Sequence, residues 1–493
     1  MFATPLPPTL PSPDVCERAL NARDARFDGL FYVGITTTRI YCRPVCPARV
    51  SYHDRRRFFD TAASAERAGY RPCLRCRPEL APGRALIDAV PNLARVAAHR
   101  IAAGALNDRS VAALARELGV SDRHLRRVLE RELGVSPVEL AQTHRLLLAK
   151  RLLADTTLPV TRIAFASGFQ SLRRFNAVFR ERYRLSPSAL RRGQRGAGGG
   201  GMAPAADGEL VRLTLAYRPP LAWDALLSLI SRDAIAGVEL VADGRYARTV
   251  EVDGRAGVVL ASDAAPSGRH YLEVQISPGL LPSLMPLLAR LRHLFDLDAE
   301  PTVVDAHLDR AGLGRLVRRR PGLRIPGALG GFDAVLRAVL GPGDGATVAA
   351  ALGAPLDTGI VGLDRLMPGA ARIARAGPEA LTGLGIARRR AEVLAAIAGE
   401  VAEGRLRLEP GSEVAQAHRA LREIRGVDER LATTILMHAL GWPDAFTAAD
   451  QALQRAARAG GAVELRTRAE SWRPWRAYAA AHLTLERPAQ RAS

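Results

Sequence analysis

Between residues 86 and 192, apolar side chains recur every three or four positions, the spacing of helices that bury one face. In Val111–Ser121, Leu114 and Leu118 share a face, Gly119 permits a tight turn, and Ser121 is placed to cap the next helix. That next helix turns Leu125 and Leu129 inward and carries Arg123, His124, Arg126 and Arg127 on its early turns. The pattern returns about 50 residues on, a separation that suits two recognition helices in successive major-groove faces. There Ile163–Ser171 turns at Gly168, Phe175 and Phe179 point inward, and Arg173, Arg174 and Asn176 follow on the outer face. Past residue 209 the period shortens to two. Leu210–Leu215, Tyr246–Val250 and Tyr271–Ile276 alternate as strands of a small sheet, and helical patterns dominate beyond residue 325. Gly193–Asp207, rich in glycine and alanine, reads as a flexible linker.

The first 85 residues have weak periodicity but hold four of the five cysteines. Cys42 and Cys46, then Cys73 and Cys76, make a C-x3-C and a C-x2-C pair separated by 26 residues. That is tetrathiolate Zn²⁺ spacing, since each pair can set two sulfurs about 4 Å apart on a tetrahedral ion. Cys16 lies outside the pattern and reads as an ordinary buried thiol. The fold class expected is multidomain α+β. Residues 1–85 form a small zinc domain, 86–192 an all-α double helix-turn-helix domain, 193–208 a linker, 209–325 a small antiparallel sheet domain, and 326–493 an all-α helical domain.

Composition narrows the partner. The 493 residues carry a formal charge of +20 and a pI near 10.9, which favours an anionic partner such as DNA. Arginine supplies nearly all of the 70 basic residues; Lys150 is the only lysine. No apolar run approaches the roughly 18 residues of a membrane span, and no signal-peptide pattern opens the chain. A cytoplasmic protein with no membrane association is expected, and a free tetrathiolate fits that reducing compartment.

The surroundings of the cysteines add chemistry. Thr36–Arg49, with Tyr41-Cys42-Arg43-Pro44 at its centre, and Arg71–Pro78 closely resemble the methyl-accepting zinc domain of the Ada regulatory proteins, over roughly residues 12–80. The resemblance implies that one zinc-bound thiolate removes a methyl group from a DNA phosphotriester and is consumed in doing so. The family's acceptor is the cysteine before Arg-Pro, Cys42 here, and Thr38, Arg49 and Arg71 occupy positions near the phosphate. Methylation would change the cluster from about −2 to about −1, so repair itself would raise affinity for the DNA backbone. Gly168-Phe169 with Phe175, Phe179 and Ser186-Pro187 resembles the AraC-type DNA-binding domain, which implies promoter DNA and RNA polymerase as partners.

Residues 209–490 resemble the AlkA type of 3-methyladenine DNA glycosylase, of the helix-hairpin-helix superfamily. The carriers are Tyr246-Ala247-Arg248, Leu294–Leu297, Arg320–Gly327 and Trp472–Tyr478. The resemblance puts the essential aspartate at Asp450 and a pocket aromatic at Trp475. One carboxylate suffices, because an alkylated purine is already cationic and leaves without a general acid, while the sugar needs a counter-charge. No cysteine follows Cys76 and no lysine lies in this half, so a four-cysteine iron–sulfur cluster and a lysine Schiff base are both excluded. Two departures point the other way. The DNA-binding hairpin reads Ile424-Arg425-Gly426-Val427-Asp428-Glu429-Arg430, bringing two acids beside Gly426, whose flanking backbone N–H groups would meet a phosphate. Gly343 falls where the family inserts a leucine into the stack vacated by the flipped base. The expectation is an alkylation-response protein binding alkylated and promoter double-stranded DNA; the alternative is a transcriptional regulator whose glycosylase half is degenerate and only binds DNA.

Overall fold

The computed structural model describes residues 10–48, 53–82, 93–195, 210–263 and 269–486. The chain folds as two compact units, residues 1–218 with 252–255 and 265–289, and residues 219–251 with 256–264 and 290–493.

The first unit opens with α1 (Pro13–Asn21), whose Cys16 and Ala19 pack on Phe31. Strands β1 (Tyr32–Ile35), β2 (Ile40–Cys42), β3 (Arg56–Phe59) and β4 (Arg71–Pro72) form one sheet in the order β3-β1-β2-β4. β1 runs antiparallel to both neighbours, with Val33 opposite Cys42 and Tyr32 opposite Phe59; β2 and β4 are parallel, Tyr41 opposite Pro72. Successive side chains of a strand face opposite ways. Tyr41 therefore joins Tyr32, Phe59 and Tyr70 in one cluster, while Cys42 joins Val33 and the other three zinc-pattern cysteines in another. The helix α2 (Ala62–Arg67) follows β3, held by a capping box between Thr61 and Ser64.

The helical part of this unit runs α3 (Leu93–Ala102), α4 (Val111–Glu117), α5 (Asp122–Leu133), α6 (Pro137–Asp155), α7 (Val160–Ala166), α8 (Leu172–Tyr183) and α9 (Pro187–Arg195). Serines start five of these helices, with Ser110, Ser121, Ser136, Ser171 and Ser186 each accepting a backbone N–H. Leu125, Leu129, Phe175 and Phe179 are fully buried, as the periodicity predicts. Gly168 takes φ 84°, and a Cβ there would sit 2.3 Å from Asn107 Oδ1, so this turn admits only glycine. α9 continues to Arg195, three residues into the stretch read as linker, because Leu190 anchors it to the core; residues 196–208 lie outside those described. The strands β5 (Val211–Ala216) and β9 (Tyr271–Ile276) pair antiparallel in register from Val211–Ile276 to Ala216–Tyr271.

In the second unit β6 (Glu239–Ala242) and β7 (Arg245–Val252) form a hairpin, Glu239 opposite Arg248, closed by Asp243 and Gly244 at positive φ. β8 (Arg255–Ser262) follows a second turn of the same kind at Asp253-Gly254. The helices Gly331–Leu352, Ala370–Gly383, Arg388–Ala402, Val414–Glu423 and Glu429–Leu440 surround one apolar core that includes Leu336, Leu394, Ile397, Leu421 and Leu436. The first of them bends at Gly341 (φ 69°), where Pro342 has no N–H to give. After Glu429–Leu440 the chain passes through a loop to the helices Gln451–Ala456 and Arg476–Leu485.

Candidate functional site

The sulfur atoms of Cys42, Cys46, Cys73 and Cys76 all lie within 4.8 Å of one another, and all four residues are buried. None is in a disulfide. Cys42 ends β2, Cys73 follows β4, and the parallel pairing of these strands brings the halves of the motif together; Cys73 N donates to Tyr41 O at 3.0 Å. Four convergent thiols at this separation fit one tetrahedral Zn²⁺. Cys16 stands apart as a buried thiol bonded to Pro11 O, and burial pushes its pKa up to about 11.

The four sulfurs are not equivalent. Cys73 Sγ accepts Arg75 N–H at 3.3 Å and also a bond from the Cys76 backbone; Cys76 Sγ accepts Arg43 N–H at 3.4 Å; Cys46 accepts from Ala48. Among the described residues no backbone N–H is directed at Cys42 Sγ. A hydrogen bond to a thiolate draws off the charge that makes it nucleophilic, and three of the four sulfurs receive one from the backbone. Arg43, next in the chain, is committed elsewhere: its guanidinium forms an ion pair with Asp28, Nε to Oδ1 at 2.8 Å, and donates to Cys76 O at 3.1 Å. It braces the two cysteine loops rather than facing outward.

Thr38, in the turn between β1 and β2, and Arg71, on β4, are both exposed; Arg49 lies outside the described residues. On α5, Arg123 and Arg127 are exposed, His124 and Arg126 half-buried; Arg126 pairs with Asp122 at 3.0 Å, and Arg127 lies 3.3 Å from His124 Nδ1. On α8, Arg173 and Arg174 are exposed and Asn176 half-buried. Each set occupies the outer face of the second helix of its helix-turn-helix, opposite the buried Leu125, Leu129, Phe175 and Phe179.

In the second unit Asp450 is the N-cap of Gln451–Ala456. Its Oδ1 accepts Ala452 N–H at 2.8 Å and Leu453 N–H at 3.0 Å; Oδ2 makes no hydrogen bond among the described residues. The carboxylate is thus fixed by one oxygen with the other available. Trp475 is buried and meets Tyr478 edge-on at 5.8 Å. Gly426 has φ 93°, and a Cβ there would lie 2.6 Å from Val393 Cγ2. The two acids of the hairpin have partners. Asp428 caps Glu429–Leu440 by accepting Leu431 N–H at 2.7 Å, and Glu429 contacts His418 at 3.0 Å and Arg422 at 3.7 Å. Gly343 is exposed just after the Gly341 bend, with open space where a Cβ would be. Arg390 closes that bend, donating to Val339 O at 2.7 Å, to Asp344 at 2.6 Å and to Leu340 O.

Sequence reasoning gave no role to Arg390, Asp28, Glu66, Asp444 or Arg476, whose partners are distant in the chain. Lys150 left one signal, its status as the only lysine.

Three family profiles match the chain: the metal binding domain of Ada over residues 15–79, a helix-turn-helix domain over 114–193, and the AlkA N-terminal domain over 212–330. The chain is 34% identical over 281 residues to DNA-3-methyladenine glycosylase 2 of Escherichia coli, covering 55% of this chain and 95% of that protein. It is 33% identical over 125 residues to the bifunctional transcriptional activator/DNA repair enzyme Ada of the same organism, covering 25% of this chain and 34% of that one. A Mycobacterium tuberculosis protein, the probable bifunctional transcriptional activator/DNA repair enzyme AlkA, is 35% identical over 488 residues, 96% of each chain. With that coverage from end to end, the chain belongs to the family of AlkA-type bifunctional transcriptional activator/DNA repair enzymes.

Proposed function

We propose that this protein senses DNA methylation damage at Cys42, activates transcription through its paired helix-turn-helix units, and excises alkylated purines of the 3-methyladenine type with Asp450. The observation that supports the first step is the uneven hydrogen bonding of the four sulfurs: backbone N–H groups meet Cys46, Cys73 and Cys76, and Cys42 would then be the strongest nucleophile. Cys42, Cys46, Cys73 and Cys76 would hold Zn²⁺, which when bound keeps the sulfurs deprotonated at neutral pH. The Cys42 thiolate attacks the methyl carbon of a phosphotriester; the new S–C bond forms as the C–O bond breaks, and the phosphodiester leaves as an anion. The sulfur becomes a thioether and is not regenerated, so transfer is stoichiometric. Thr38, Arg49 and Arg71 are proposed to hold the phosphate. The cluster loses one negative charge, which lowers its repulsion from DNA, and α5 and α8 then read the promoter through Arg123, His124, Arg126, Arg127, Arg173, Arg174 and Asn176. RNA polymerase recruitment would follow.

For base excision, the free Oδ2 of Asp450 would stabilise the cationic sugar as the alkylated purine departs and would orient the attacking water. The lesion must first leave the stack; Trp475 is the proposed aromatic wall, and the Gly426 hairpin the proposed phosphate anchor. The hairpin acids oppose that anchor less than their number suggests, since one caps a helix and the other faces His418 and Arg422. Gly343 alone still favours the alternative, a regulator whose glycosylase half only binds DNA. Two measurements decide. Release of 3-methyladenine from alkylated DNA, absent in Asp450→Asn, establishes the enzyme; no release above that control leaves the regulator. Mass spectrometry after exposure to methyl phosphotriester DNA should find one methyl group on Cys42, and methyl on another residue overturns the acceptor assignment.

A further inference from the structure

The chain's only lysine is fully buried. Lys150, on α6, donates from Nζ to the carbonyl oxygen of Cys73 at 3.1 Å and to Glu79 Oε2 at 2.5 Å. Arg77 takes the other Glu79 oxygen at 3.0 Å and reaches Asp155, at the end of α6, at 2.6 Å. A second buried ion lies on the aromatic side of the sheet. Glu66, on α2, accepts Tyr41 O–H at 3.1 Å on one oxygen; its other oxygen accepts Thr143 Oγ1–H from α6 at 2.7 Å and lies 3.4 Å from Arg182 Nη1 on α8. Tyr41 precedes Cys42, and Cys73 is one of its companion ligands. Each buried ion is therefore shared between the zinc module and the helical scaffold: Lys150 and Thr143 belong to α6, Arg182 lies on the second recognition helix α8 itself, and Tyr183 O–H of α8 donates to Leu146 O of α6 at 3.3 Å.

A buried charge deprived of its partner is far more costly than an exposed one. Swinging the zinc module away from α6 and α8 would strip Glu66 and Lys150 together. The chain uses arginine for almost every other cation, yet a compact ammonium fills this point contact, where a planar guanidinium would need a wider cleft.

We propose that Glu66 and Lys150 are positioning residues that lock the methyl acceptor onto the scaffold of the second recognition helix, so that Cys42 and α8 meet DNA as one rigid reader. The inference rests on the reading of Cys42 as acceptor and adds to it. The charge lost on methylation then acts at a fixed distance from the α8 half-site, and the gain in affinity belongs to DNA of that register. Loosely tethered modules would instead raise affinity for any DNA backbone.

The test uses the full chain, wild type and the Glu66→Gln and Lys150→Met variants, each checked for bound zinc and for methyl uptake by intact mass. The probe is a duplex selected from a random-sequence library by the methylated wild-type protein. The ratio of affinities with and without methylation is expected to fall by about fivefold or more in the variants, the usual range for coupled sites. Hydroxyl-radical protection should be lost over one half-site and kept over the other. A variant that binds zinc, takes up methyl and retains the full ratio and footprint overturns the proposal. If either core variant loses zinc, Arg182→Gln, at the half-buried rim of the Glu66 cluster, decides by the same two readouts. Failure of the wild-type protein itself to take up methyl overturns the Cys42 reading instead, and is visible before any affinity is compared.

Discussion

Arg476 grips Asp444 at three points: Nε to Oδ1 at 2.6 Å, Nη2 to Oδ2 at 2.8 Å, and Nη2 to the backbone carbonyl at 3.0 Å. Its guanidinium also lies over the Phe446 ring at 5.5 Å, and Ala477 N donates to Pro443 O at 2.8 Å. The loop from Pro443 to Asp450 is thereby pinned where it starts, while Gln454 Nε2 holds its far end through Ala448 O at 2.7 Å.

Arg476→Met should accordingly lose more than a surface ion pair. Breaking a buried pair costs about 3–5 kcal/mol when the partner is left alone; Arg473 still reaches Asp444, so urea unfolding should show a loss below that range but above that of a surface pair, together with diminished base release. Arg473 also reaches Asp444, at 2.6 Å, but is half exposed; Arg473→Met should cost no more than about 1 kcal/mol.

Asp450 caps a helix, and one pair of substitutions can separate that role from the one proposed for it in base excision. Asparagine caps helices about as well as aspartate, whereas alanine costs about 1 kcal/mol. Asp450→Asn should keep the thermal stability of the wild type and lower base release by about 100-fold or more, the scale on which electrostatic stabilisation of a transition state is lost. Asp450→Ala should match it in activity and melt earlier. Equal activity of Asp450→Asn and wild type would remove the carboxylate from the mechanism.

Periodicity was a good guide to the helix-turn-helix units, because burial of Leu125, Leu129, Phe175 and Phe179 repeats with the helical turn and their serine caps are local in sequence. The strand read at Tyr271–Ile276 matches β9, and the one read at Leu210–Leu215 appears one residue later. The sulfur cluster was legible because metal-ligand spacing is a property of a short segment. The hydrogen bonds that distinguish Cys42 from its three companions were not, since they depend on turn geometry around each sulfur. Nor were the Glu66 and Lys150 contacts, whose partners lie 77 residues away in both Glu66–Thr143 and Lys150–Cys73. The partners of the hairpin acids were no more legible: Asp428 accepts Leu431 N–H at a helix N-terminus, and Glu429 meets His418 from the preceding helix.

Zinc binding and methyl acceptance should be kept or lost together across the cysteine variants. Cys16→Ala should retain the metal and take up methyl as the wild type does, because that thiol is buried on the α1 side and its raised pKa keeps it protonated. Cys73→Ser should lose metal affinity and methyl uptake together, since three thiolates and an un-ionised hydroxyl make a poor site for Zn²⁺. Colorimetric zinc release on thiol modification, run beside intact mass, measures both properties in one sample. Methyl uptake by a zinc-free chain would separate the chemistry from the metal.

Stability should carry a recognisable pH signature from Asp296. Desolvation pushes its carboxyl up to about 6, although Arg324 nearby and a 2.5 Å hydrogen bond from Tyr478 O–H both favour the charged form. A carboxyl whose folded pKa exceeds its unfolded value of 3.8 binds its proton more tightly in the native state. The fold therefore gains from this group below pH 4 and loses that gain as pH rises through 6. Two pKa units correspond to about 3 kcal/mol at most. Asp296→Asn cannot titrate, so the unfolding free energy of wild type minus variant, from urea titrations between pH 4 and 7, should fall with rising pH and level off above 6. Asp305, also raised to about 6 by burial, keeps its own slope in both proteins and cancels in the difference. A difference that is flat across the window would mean that Asp296 titrates in the folded protein as it does in the unfolded chain.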